Sequence, residues 1–298
     1  IKIKPDYGEA HYNLGIILKD LGKSKEAEAS YRKAIKIKPD YGEAHYNLGN
    51  LLSNFGKLKE AEASYRKVIQ LNPNYIKAYY SLSLLKYSDE NKHWKNQLFS
   101  KNILNKKSKE DQINIYFARA NILHKEKNYE ESSRFLKIAN QLKLSLQPSN
   151  SDALINKSKA LLIESFKQEI IPREYKESQE SIFIVGMPRS GSTLLESILS
   201  LNNEVYDLGE CEIFEESFLE YKKSTQDLNL AKIYWEKIKN KQKQTNKTTN
   251  KNLYNYLYTG FIANKIPNSK IIHCYRNPLD NILSIYRANS HKEINIFI

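Results

Sequence analysis

Residues 181–199 read SIFIVGMPRSGSTLLESIL, and this stretch decides how the C-terminal half of the chain is built. Its apolar opening, Ile182-Phe183-Ile184-Val185, predicts a buried strand of a mostly parallel sheet. Gly186 and Gly191 bracket a tight loop. Ser192 and Thr193 are then expected to cap an apolar-periodic helix containing Leu194, Leu195, Ile198 and Leu199. A strand, a glycine loop and a helix start together aim backbone N–H groups at a phosphate. The competing reading is a glycine turn that binds nothing.

The loop departs from the triphosphate-binding pattern G-x-x-x-x-G-K-[ST], because Ser192 and Thr193 follow Gly191 with no lysine between them. The cation inside the loop is Arg189, whose planar guanidinium suits bidentate contact with phosphate or sulfate oxygens. The chain has 298 residues, enough for about two domains. No run approaches the ~18 apolar residues of a membrane span, so no transmembrane segment is expected. Cys211 and Cys274 are the only cysteines, which excludes a disulfide framework and points to a reducing compartment, the cytoplasm. The formal charge of +13 favours an anionic ligand or partner, and drift towards Lys, Asn and Ile along the whole chain is a competing account. The tyrosines sit at helical-repeat spacing rather than in a basic groove, so nucleic acid is not expected as a partner.

The first third repeats itself. KPDYGEAHYNLGIILKDLGKSKEAEASYRKAIKI, from Lys4, is followed from Lys38 by KPDYGEAHYNLGNLLSNFGKLKEAEASYRKVIQL, and Pro5, Pro39 and Pro73 mark a 34-residue period. Ile1 falls inside a repeat, so an upstream segment is expected. Leu14-Gly15, Ala27, Tyr31, Ala34 and Pro39, then Leu48-Gly49, Ala61, Tyr65, Val68 and Pro73, resemble the signature of tetratricopeptide repeats. The resemblance implies an α-solenoid of helical hairpins, packed through small residues and offering a groove to a protein or peptide partner, or serving only as a spacer. His11 and His45 share one repeat phase and are expected as packing or groove residues, not metal ligands. After Tyr75, helical spacing continues through Ile76, Tyr79, Leu82 and Leu85. Residues 86–109 read as polar and irregular. Residues 111–146 restore a hairpin, with Arg119 where the repeat usually has leucine. The array is expected over residues 1–147, a connector with a helix at 152–171 over 148–180, and a second domain over 181–298.

Within that domain, residues 204–207 suggest a short strand, 230–243 a lysine-rich helix, and the polar stretch up to Asn252 a mobile segment. Residues 253–263 read as an aromatic helix and 270–275 as a second buried strand ending at Arg276. Pro278 then opens a helix bearing Asp280, Leu283, Ser284 and Tyr286.

Taken jointly, GMPRSGSTLLESIL and KIIHCYRNPLDNILSIYR resemble the two nucleotide motifs of sulfotransferases that use 3′-phosphoadenosine 5′-phosphosulfate (PAPS), with features of the tyrosylprotein type. The resemblance implies a P-loop-like α/β fold with PAPS as co-substrate and no metal. Pro188, Arg189, Ser190, Gly191, Ser192 and Thr193 would cradle the 5′-phosphate, and Arg276 and Ser284 would grip the 3′-phosphate. It further implies Lys251 as the cation on the departing oxygen, within an Asn250-Lys251 pair where the family has Asp-Lys, and Glu210 as the catalytic base. Asn277 stands where the family commonly has aspartate, with little consequence expected. Arg189, Lys251 and Glu210 form the expected catalytic set, acting on a hydroxyl-bearing acceptor through positioning and charge.

Partial burial is expected for the base. Glu212 and Glu215 are its neighbours in sequence, with a solvated acidic helix face as the alternative. His273 is expected as a core histidine and Asp280 as a structural partner of the Arg276 region. Ile298 follows the second motif closely, so the domain is expected to be incomplete at its C-terminus. Two alternatives stay open: a repeat scaffold with an inactive sulfotransferase domain, and, disfavoured by the missing lysine, a P-loop kinase or NTPase.

Overall fold

The 34-residue period becomes a series of helix pairs. The computed structural model describes residues 7–85, 93–167, 179–224, 229–241 and 246–289, and the chain divides into two units, Ile1–Pro148 and Ser149–Ile298. In the first unit, α1 (Gly8–Asp20) pairs with α2 (Ser24–Ile37), and α3 (Gly42–Asn54) with α4 (Leu58–Leu71). Each pair turns at a glycine with positive φ, Gly22 at 75° and Gly56 at 71°, a conformation that a Cβ would oppose. Gly15 and Gly49 serve packing instead. A Cβ on Gly15 would stand 2.5 Å from the Tyr31 ring, and one on Gly49 2.7 Å from the Tyr65 ring. Ala27, Ala34, Ala61 and Val68 are fully buried around these contacts.

The decayed part of the array is more ordered than its sequence suggests. After α5 (Ile76–Leu84), residues 93–104 form α6 (His93–Phe99) and a 3-10 turn (Lys101–Leu104), because Trp94, Leu98 and Ile103 are buried in the same core as the repeats. Residues 86–92 lie outside the described residues. Next come α7 (Lys109–Lys125) and α8 (Tyr129–Leu146). Arg119 on α7 is buried, and its Nε donates to the Leu98 carbonyl at 2.9 Å while a terminal nitrogen donates to the Ser100 carbonyl at 3.0 Å. Its guanidinium also lies 5.5 Å from the centre of the Phe135 ring and 5.7 Å from that of Phe99. A cation satisfied in this way can stand where the repeats use leucine.

In the second unit, α9 (Ser151–Phe166) buries Leu161 in a core with Phe214, Tyr258 and Phe261. Asn264 donates to the Ser165 carbonyl at 3.3 Å, and a Cβ on Gly260 would collide with the Ser165 side chain. The helix read as 152–171 thus ends by Phe166, and residues 168–178 lie outside the described ones. Four parallel strands follow in the order β2-β3-β1-β4: β1 (Glu180–Gly186), β2 (Val205–Asp207), β3 (Lys247–Asn250) and β4 (Ser269–Cys274). The helices are α10 (Ser192–Leu199), α11 (Ile213–Lys223), α12 (Leu230–Lys241), a 3-10 segment (Leu253–Tyr258), α13 (Thr259–Lys265) and α14 (Pro278–Tyr286).

Two expectations fail here for physical reasons. The polar stretch before Asn252 is not a mobile segment over residues 247–250. It is β3, inserted between β2 and β1, with Thr248, Thr249 and Asn250 fully buried. Most of their polar groups are satisfied inside: Thr248 meets the Ser181 hydroxyl at 3.1 Å, and Asn250 Oδ1 accepts from the Asn255 amide at 2.9 Å, while Asn250 Nδ2 has no partner among the described residues. Residues 242–245 lie outside the described ones. The second departure is β4, which is half-exposed instead of buried because it forms the sheet edge among the described residues. His273 is exposed on that edge and is not a core histidine.

Gly49→Ala should lower unfolding free energy by about 1–3 kcal/mol, the usual cost of forcing a side chain into a filled core. Urea titration of the full chain measures this, and an unchanged midpoint would show that the Tyr65 ring moves aside freely.

Candidate active site

Because all four strands run parallel, their C-terminal ends open on one side of the sheet, the usual place for a ligand in such folds. The loop leaving β1 begins at Gly186, with φ 147°, where a Cβ would collide with the Cys274 carbonyl of β4. Arg189 follows at φ 67° and Gly191 at φ 97°. Gly191 is itself the N-cap of α10, with no side-chain cap, and Ser192 and Thr193 are its first helical residues, not its caps. The first amides of α10 therefore lack intrahelical acceptors and face the loop with the positive end of the helix dipole. The Ser190 hydroxyl is buried without a partner.

The burial of α10 departs from its apolar pattern. Leu194 and Ile198 are exposed and Leu195 and Leu199 half-buried, while Ser192 and Glu196, one turn apart, are buried. Glu196 was not singled out from the sequence. Its Oε1 accepts from the Thr249 hydroxyl at 2.9 Å, so the inward stripe of α10 is matched to polar β3. A lone glutamate one turn after Ser192 was the available signal, visible only with β3 in place. Burial and the nearby Asp207 carboxyl push Glu196 up to about 7, against the downward pull of Thr249 and Lys251.

Lys251 follows β3 and is almost wholly buried. Its Nζ donates to the Thr193 hydroxyl at 3.2 Å and to Glu210 Oε1 at 2.7 Å, and stands 3.9 Å from Glu196 Oε2. The cation missing from the loop sequence is thus delivered to the start of α10 by a neighbouring strand. Glu210 sits after β2 on a turn in which Gly209 accepts from the Lys251 amide at 2.9 Å. Its side chain is 63% exposed, so the expected partial burial of the base is not found. Glu212 is the N-cap position of α11, and Glu215 is engaged with Lys157 at 2.8 Å and with the Tyr258 hydroxyl at 2.7 Å.

The other flank is built from β4 and α14. Arg276 donates to the Arg189 carbonyl at 3.4 Å, and Arg189 Nε donates to the Ser284 hydroxyl at 3.1 Å. Among the described residues, the remaining donors of both arginines meet no protein acceptor. Buried Asn281, also absent from the sequence reading, donates to the Pro188 carbonyl at 3.2 Å. Asn277 caps α14 by accepting from Leu279 and Asp280 amides at 3.0 and 3.3 Å, a role any short acceptor side chain performs. Asp280 is exposed in the first turn of α14. Six of the sequence-derived candidates therefore fall into two groups joined by the loop that carries Pro188, Ser190, Gly191 and Ser192: Thr193, Lys251 and Glu210 on one side, Arg189, Arg276 and Ser284 on the other. Among the described residues, no group of His, Cys, Asp or Glu is placed to hold a metal, and no helix is long and apolar enough to cross a membrane.

Residues 179–296 match the family model of the sulfotransferase domain, and residues 8–41 and 42–75 each match that of the tetratricopeptide repeat. The chain joins tetratricopeptide repeats to a sulfotransferase domain. An uncharacterized protein of Aquifex aeolicus (strain VF5) is 27% identical over 208 residues, covering 61% of this chain and 27% of the relative, so the chain spans about a quarter of that protein's length. Among solved structures, a tetratricopeptide repeat protein from Parabacteroides merdae ATCC 43184 is 19% identical, with 78% of this chain and 85% of that chain covered and a TM-score of 0.41. YrrB, described as a TPR protein with an unusual peptide-binding site, is 20% identical, with 56% and 83% covered and a TM-score of 0.37.

The sulfotransferase domain should lose stability as pH rises through the Glu196 titration. A carboxyl with a folded value near 7 and an unfolded value of 4.5 binds its proton more tightly when folded, so its contribution is complete below 4.5 and lost as pH passes 7. The loss should be of order 3 kcal/mol between those limits, and Glu196→Gln should flatten it. Urea unfolding across that range, with equal slopes for wild type and variant, would contradict the assignment.

Proposed function

We propose that the second unit is a PAPS-dependent sulfotransferase that transfers a sulfuryl group to a hydroxyl acceptor, and that the repeats bind a protein partner or the substrate itself. The observation that carries this reading is the flanking of one phosphate-type loop by Lys251 on one side and by Arg276 with Ser284 on the other. A ligand with a phosphate at each end suits that donor set. The uncapped start of α10 and the unpartnered Ser190 hydroxyl suit its 5′ end, and the open donors of Arg276 and Arg189 suit its 3′ end.

PAPS, when bound, supplies a sulfuryl group attached through a bridging oxygen to a phosphate leaving group. Glu210 takes the acceptor's hydroxyl proton as the new S–O bond forms, and Lys251 meets the charge left on the bridging oxygen as the old one breaks. The exposure of Glu210 beside the burial of Lys251 fits a base on the acceptor side and a cation on the nucleotide side. Arg189, fixed in a left-handed conformation, holds the loop against Ser284. The two free thiols support a reducing compartment, the cytoplasm. A second reading, a repeat scaffold whose second unit binds nucleotide without turnover, draws on the exposed apolar residues Tyr275, Leu279 and Leu283 beside the site.

Calorimetric titration should show binding of adenosine 3′,5′-bisphosphate in preference to ADP. Arg276→Ala should weaken the bisphosphate by about tenfold or more and leave 5′-AMP nearly unaffected, since a charged hydrogen bond to the 3′-phosphate is lost. Preference for ADP, or equal losses for both ligands, would remove the 3′-phosphate assignment. With sulfur-labelled PAPS and a hydroxyl acceptor, Glu210→Gln should cut turnover about a hundredfold while nucleotide affinity stays within about twofold. Undiminished turnover would exclude Glu210 as the base, and bisphosphate binding without any turnover in the wild type would select the second reading.

A further inference from the structure

We propose that Glu196 is the positioning residue for Lys251: its buried carboxylate, fixed by the Thr249 hydroxyl, keeps the ammonium at the start of α10 while Glu210 comes and goes. The consequence for catalysis rests on the sulfotransferase reading, but the placement of Lys251 does not.

The argument starts from the charge. An ammonium group almost cut off from water needs a counter-charge that is itself held in place. Among the described residues the Lys251 ammonium has three polar partners, and they are unequal. Thr193 offers a neutral hydroxyl at 3.2 Å. Glu210 offers the shortest contact, 2.7 Å, but its side chain is 63% exposed, and exposed pairs hold geometry weakly. In the proposed reaction Glu210 must also turn its carboxylate to the acceptor's proton, at which point it is neutralised.

Glu196 differs on each count. Its side chain is 4% exposed, and it sits 3.9 Å from Lys251, at the range of a charge contact rather than a hydrogen bond. Its other oxygen is held at 2.9 Å by Thr249, a fully buried residue in the middle of the sheet. Glu196 also lies on the same inward face of α10 as Ser192, one turn on, so the helix whose first amides face the loop also anchors the cation beside them. Glu210 is therefore the exchangeable partner and Glu196 the one fixed in place, a full counter-charge above its titration near 7.

The test is lysine acetylation of the full chain, followed residue by residue by mass spectrometry at about pH 8.5, where a carboxyl with a value near 7 is ionised. Glu196→Gln should raise the acetylation rate of Lys251 about tenfold, with Lys222 and Lys247 changing less than about twofold. Thr249→Val, which removes only the hydroxyl holding Glu196, should raise Lys251 alone by a smaller factor, and Glu196→Asp should restore part of the protection. Turnover in Glu196→Gln should fall about tenfold, with affinity for adenosine 3′,5′-bisphosphate within about threefold. Unchanged Lys251 labelling in both Glu196→Gln and Thr249→Val overturns the proposal. A uniform rise at all three lysines in Glu196→Gln marks a merely structural role and overturns it too, unless Thr249→Val exposes Lys251 selectively. A wild type that neither binds bisphosphate nor turns over would sink the sulfotransferase reading and leave the acetylation result to decide the placement.

Discussion

The ammonium group of Lys251 is the constraint on which the second unit depends. Holding it out of water at the end of β3 requires partners from two other segments: Thr193 and Glu196 from α10, and Glu210 from the turn after β2. Its own backbone amide completes the link by donating to Gly209, while Leu208 donates to the Thr249 carbonyl at 3.0 Å. One side chain and two backbone bonds thereby fix where β2, β3 and the loop-helix junction stand relative to one another. The polar character of β3 and the polar inward stripe of α10 both follow from it. A strand of valines would pack there well and leave Glu196 with an unsatisfied charge.

The sequence was most informative where local chemistry and local geometry coincide. The 34-residue period specified helix pairs down to the glycines that approach Tyr31 and Tyr65, because each repeat states its contacts twice. Gly186, Arg189, Gly191, Arg276 and Ser284 were legible because a turn or a charged group at fixed spacing needs those residue types wherever it occurs. What was illegible depended on a partner distant in sequence. Thr248, Thr249 and Asn250 carry no hydrophobic signal, and their burial makes sense only beside Ser181, Glu196 and Asn255. The apolar residues of α10 did not mark its inward stripe for the same reason, since the strand beneath it is polar. Arg119 is a further case: at a leucine position it reads as decay, yet two backbone carbonyls and a set of aromatic rings make it a fitted part.

The repeats and the sulfotransferase domain illustrate two ways of using glycine. In the repeats, Gly15 and Gly49 let an aromatic ring reach the helix backbone, which fixes helix spacing and leaves the outer surfaces free to vary. In the domain, Gly186 lets one strand's end pass against another's carbonyl, which fixes the base of a loop. The first use is repeated and structural. The second occurs once, where the candidate site is.

The close passage of Gly186 against Cys274 has a mechanical consequence. The loop springs from the very residue that touches the end of β4, and Asn281 on the following helix grips the loop again at Pro188. Arg189 and Arg276 are therefore mounted on one frame, in which the loop is tied to β4 at its base and to α14 at Pro188. On the proposed function, such a frame acts as a gauge: the backbone sets the spacing of the two guanidinium groups, and a ligand is selected by the distance between its anionic groups.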